Sequence, residues 1–173
     1  MPLMLLSLRT HLYVVKILLT ESLQGYVAHK YLAIGMLNNL SDTLVTQHKE
    51  VADKLRDIRI HILEDVPSAL TILDAYITQD ITTTILAPFT PMQREYCYDC
   101  CIKHISTALT YFLADNVDAA IANLIEAYNE APDSKDDFIK NTIMDMLENP
   151  RIIDISAFGL LEFLNEERLN NGV

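Results

Sequence analysis

At 173 residues the chain is long enough to bury a sizeable apolar core without staples, and half of its residues are hydrophobic. Thirteen basic against twenty-four acidic residues leave a net charge of −11. Such a surface repels phosphate backbones and anionic headgroups, which argues against nucleic-acid binding and membrane attachment. With only four glycines and six prolines, too few tight turns are available for a sandwich or barrel. The expected fold is therefore all-α: a single domain over 1–173, of seven or eight helices in an orthogonal bundle.

The N-terminal run Met1 to Leu8 is apolar, but no basic region precedes it and no small-residue cleavage site follows. Arg9, His11 and Lys16 also interrupt it, so it reads as part of a buried helix. Leu5, Leu8, Leu12, Val15 and Leu19 keep helical spacing as far as Leu23, where Gln24-Gly25 ends the pattern. Further helices are expected over 27–48, 50–64 and 68–76. Residues 78–89, with the β-branched run Ile81 to Ile85 and Pro88, form a connector or one extended segment. Thr90-Pro91 is a helix start signal for 91–114, and Asp115-Asn116 ends that helix. Helices over 117–130, 135–148 and 154–170 follow, the last carrying Ile155, Phe158, Leu161 and Leu164 as its apolar residues. No run reaches membrane-spanning length, so a soluble, cytoplasmic protein is expected.

All three cysteines, Cys97, Cys100 and Cys101, precede His104 closely. On one continuous helix Cys97, Cys100 or Cys101, and His104 would share a stripe at i, i+3 or i+4, and i+7. Thiolate and imidazole are preferred ligands of Zn²⁺, so this stripe is a candidate zinc site. Its fourth ligand would be His29, ahead of His11 or a facing carboxylate. The competing reading is a helix core in which the cysteines act as small apolar residues and His104 satisfies a local hydrogen bond. A disulfide is not expected: Cys100 and Cys101 are adjacent, and helical geometry would hold Cys97 away from bridging distance. That favours a reduced compartment.

Residues 1–77 and 90–170 share a layout. Leu55-Arg56 can be set against Ile139-Lys140, and Ile62-Leu63-Glu64-Asp65 against Met146-Leu147-Glu148-Asn149, with a proline following at 67 and 150. A duplicated three-helix unit and a chance match of two amphipathic hairpins both fit this pattern. Cys97-x-x-Cys100-x-x-Lys103-His104 in one half, and Gly25-Tyr26-x-x-His29 with Ala33-x-Gly35 in the other, resemble two pieces of a pattern in small phage and prokaryotic helical proteins of unassigned function. In those proteins one unit carries both pieces in succession. Here Met4, Ser7 and Leu8 stand where cysteines would align in the first half, and the second half lacks Gly-Tyr-x-x-His. The resemblance lends no activity; it implies that Cys97, Cys100, His104 and His29 form one site.

Arg56 and His61 fit an Arg-x4-His spacing that resembles the motif of the HEPN ribonucleases, in which such a pair acts on RNA. The spacing is permissive and the net charge of −11 is unhelpful for an RNA substrate, so an amphipathic helix with a polar Arg56, Arg59 and His61 face is the favoured reading. Glu21 and His29 are expected to meet across the turn at Gly25, and Tyr26, Tyr31, Tyr96 and Tyr98 suit an interface or a ligand slot. The expectation for function is a non-enzymatic intracellular binding or assembly protein, of phage origin on the resemblance above, that acts through protein or small-ligand contacts and forms a homo-oligomer. The alternative is a metal-dependent or nucleotide-processing enzyme with its site around His104 and His29.

Overall fold

The computed structural model describes residues 4–79, 84–89, 94 and 96–170. The fold is all-α, with eight α-helices and one two-stranded sheet among the described residues. The chain divides into two compact units, Met1–Phe89 and Thr90–Val173.

The first unit contains β1 (Met4–Ser7), α1 (Leu8–Leu23), α2 (Ala28–Leu44), α3 (Lys49–Glu64), α4 (Val66–Ile77) and β2 (Leu86–Phe89). Its helices pack against one another in a closed ring, α1 on α2, α2 on α3, α3 on α4 and α4 on α1. Leu12, Leu18, Leu37, Leu55, Ile58, Ile62 and Leu73 fill the centre of the unit and are fully buried. The helical reading of the N-terminal run is corrected at Met4–Ser7, which is extended and pairs antiparallel with β2, Met4 opposite Phe89 and Ser7 opposite Leu86. The Leu8 N–H donates to the Ile85 carbonyl at 2.7 Å. Backbone groups from the far end of the unit thus supply the partners that would otherwise have come from a helix. Leu5, expected inward, is exposed.

The second unit contains α5 (Tyr98–Leu113), α6 (Val117–Asn129), α7 (Phe138–Glu148) and α8 (Ile153–Asn170). The ring recurs, α5 on α6, α6 on α7, α7 on α8 and α8 on α5. Helices α1 and α5 also begin and end alike. Each has 16 residues, and each N-cap side chain accepts from the backbone N–H three residues on, Ser7 from Thr10 and Cys97 from Cys100. Each closes on a left-handed residue, Gly25 at φ 116° and Asp115 at φ 61°. The residue after it donates back to the helix, Tyr26 to the Glu21 carbonyl at 3.2 Å and Asn116 to the Tyr111 carbonyl at 2.9 Å.

Two expectations in this unit need correction. The Thr90-Pro91 start signal lies outside the described residues, but Arg94, Tyr96 and Cys97 are not helical and α5 starts at Tyr98. The Arg94 and Cys97 N–H groups donate instead to the carbonyls of Asn129 and Glu130, at 3.1 and 2.9 Å. The helix expected from 135 begins at Phe138, after a 3₁₀ turn at Lys135–Asp137 in which Asp136 and Asp137 adopt positive φ. In α8 the buried stripe is Ile153, Ala157, Leu160 and Leu164, whereas Ile155 and Phe158 point to solvent. That helix is apolar on both sides, so periodicity alone does not select its buried face. No helix among the described residues is long and apolar enough to cross a membrane.

Candidate functional site

Cys97 does not sit on the helical stripe. As the N-cap of α5 it has extended backbone angles, φ −153° and ψ 117°, which place its Cα 5.2 Å from that of Cys100. The two sulfurs are bonded, which corrects the expectation that helical geometry would keep them apart. The Cys100 N–H donates to the Cys97 sulfur at 3.1 Å. Cys101 turns the other way. It is buried, and its S–H donates to the Ala127 carbonyl at 3.6 Å. Burial, reinforced by the Glu130 charge, pushes its thiol up to about 12, so it stays protonated near neutral pH.

One turn further along α5, the buried His104 faces two oxygens. Its Nδ1 lies 3.4 Å from Asn123 Oδ1, and its Nε2 lies 3.5 Å from Glu130 Oε2. Asn123 is held in turn by donating from Nδ2 to the Ala119 carbonyl at 2.9 Å, which leaves Oδ1 turned to the imidazole. The network continues through Arg94. Its Nη2 donates to Glu126 Oε2 at 2.6 Å, and its Nη1 lies 3.5 Å from Glu130 Oε1. Asn129 Nδ2 adds a donor to Glu126 Oε2 at 3.3 Å. Glu126 is 0% exposed, so its charge depends on these partners. The loop before α5 thus supplies the guanidinium and the end of α6 the carboxylates, while the backbone bonds from Arg94 and Cys97 hold the two segments together.

Of this cluster the reading of the sequence above picks out only His104 and passes over Arg94, Asn123, Glu126, Asn129 and Glu130. A signal was present. Asn123, Glu126 and Glu130 fall at i, i+3 and i+7, a polar stripe along the otherwise alanine-rich buried face of α6, and Glu126-x-x-x-Glu130 is itself a paired-carboxylate spacing.

In the first unit the turn at Gly25 does bring His29 to Glu21, Nδ1 to Oε1 at 3.2 Å, with the Tyr26 ring stacked on the imidazole at 5.3 Å between centroids. His11 is buried, and its Nε2 donates to the Ala87 carbonyl at 2.8 Å. Burial lowers its pKa from the ordinary 6.5, and the hydrogen bond opposes this more weakly. Arg56 and His61 lie on α3 beside different carboxylates, Arg56 near Asp42 at 3.8 Å and Asp53 at 3.7 Å, and His61 near Asp57 at 3.8 Å. Of the expected zinc ligands, Cys97 and Cys100 are joined to each other, while His104 and His29 are each set against a glutamate of their own unit. Compared with family models, with curated proteins and with solved structures, the chain finds no match.

Proposed function

We propose that the protein is a non-enzymatic binding and assembly protein that associates with a second copy of itself through helix surfaces. The carrying observation is the outer face of α8, where Ile155 is 77% and Phe158 59% exposed on a helix that already buries an apolar stripe on its other side. Removing such a patch from water is favourable at roughly 25 cal/mol per Å², and a second copy of the same surface is the commonest way to do so. The net charge of −11 favours protein over nucleic-acid contacts. Light scattering on the wild type and on the double variant Ile155→Glu/Phe158→Glu tests the proposal: the wild type exceeds the monomer mass and the variant does not.

A second reading rests on a different observation. Each unit holds one histidine against a glutamate, His29 with Glu21 and His104 with Glu130. A carboxylate behind an imidazole orients it for ligation or for proton transfer, as a metal-dependent or nucleotide-processing enzyme requires. Metal analysis of the purified protein separates the readings. Stoichiometric zinc that is lost in both His29→Ala and His104→Ala favours the second, and metal-free protein favours the first.

A further inference from the structure

Three features meet at the start of α5. Cys97 and Cys100 are bonded, both are only half-buried, and the bond spans the first turn of a 16-residue helix whose N-cap is one of its sulfurs. The third cysteine is buried with its thiol pushed up to about 12, so it does not compete for solvent-borne reagents. We propose that Cys97–Cys100 is a reversible thiol–disulfide exchange site whose reaction partners are low-molecular-weight thiols and disulfides of the glutathione class.

The two cysteines are not equivalent. The Cys97 sulfur, as the N-cap, accepts from the Cys100 N–H at 3.1 Å in the bonded form and lies at the positive end of the helix dipole. Both effects favour its thiolate, which is the nucleophile in exchange. Asp99 shares that turn, but its carboxylate accepts from Arg168 Nη1 at 2.7 Å, which offsets its charge. Oxidation begins with attack of the Cys97 thiolate on one sulfur of the external disulfide. A Cys97–glutathione bond forms, and the other glutathione leaves as thiolate and takes up a proton. The Cys100 thiol then loses its proton and attacks the Cys97 sulfur, releasing the second glutathione. Two electrons pass from the cysteine pair to the external disulfide, and reduction by two glutathione thiols is the reverse.

Intact protein is equilibrated in buffers running from fully reduced to fully oxidised glutathione, quenched with acid, unfolded, alkylated and weighed by mass spectrometry. The expected result is a smooth, reversible passage from three alkylated cysteines to one within that range. A pair that stays bonded or stays reduced across the whole series, or that does not return when the buffer is reversed, overturns the proposal, since a structural staple resists the glutathione pool. In a second arm, Cys97 in the Cys100→Ser variant reacts with oxidised glutathione at least about tenfold faster than Cys100 in Cys97→Ser. Equal or inverted rates overturn the assignment of Cys97 as the nucleophile. The wild-type titration does not depend on either variant folding, and neither arm depends on self-association.

Discussion

The buried carboxylates Glu126 and Glu130 of the second unit both face Arg94. Its side chain is 12% exposed and spans Glu126 and Glu130, so losing it strands two carboxylates in a region that water reaches poorly. Arg94→Met is expected to destabilise the protein by roughly 3–5 kcal/mol in urea unfolding, and adding Glu126→Gln to recover part of that loss. His11 gives a pH signature. Its pKa is lowered from the ordinary 6.5 mainly by burial, so the unfolded chain takes up a proton that the folded chain refuses. Stability from this residue is therefore full above pH 6.5 and is lost as pH falls from there towards the folded value. Denaturation midpoints at about pH 7.5 and about pH 5 should fall further apart in the wild type than in His11→Phe. The His29–Glu21 pair was legible in the sequence because one turn joins its partners. The Arg94–Glu126 pair was not, because its partners are 32 positions apart and only the folded loop before α5 brings them together.

Helix ends were more legible than helix starts. Gly25 and Asp115 mark the ends of α1 and α5 because a left-handed residue must follow the last turn, and few residue types adopt that conformation. At φ 61° Asp115 occupies the position at some cost, so Asp115→Gly is expected to stabilise the protein by about 0.5–1 kcal/mol, measured as a rise in the urea midpoint at unchanged slope. Starts depend on distant partners. Met4–Ser7 became a strand because β2 lies beside it, and α5 starts late because Arg94 and Cys97 donate to the end of α6. Both outcomes override strong local helical signals, since a backbone donor is satisfied wherever an acceptor is positioned. The late start also decides the chemistry of the cysteines: with Cys97 outside the helix, a stripe of ligands becomes a bonded pair.

Across the chain, length and the scarcity of glycine and proline were enough to indicate an all-α fold. They did not reveal the closed ring of four helices in each unit, because ring closure between α1 and α4, or α5 and α8, leaves no local trace. Nor did periodicity reveal which face of α8 is free. That face is the basis of the central claim, self-association through apolar helix surface, and light scattering over a wide concentration range tests it most directly. The wild type is expected to weigh more than the 19.6 kDa of one chain, with Ile155→Glu/Phe158→Glu returning to that mass while keeping its helical circular dichroism. A wild-type mass of 19.6 kDa at every concentration would contradict the claim.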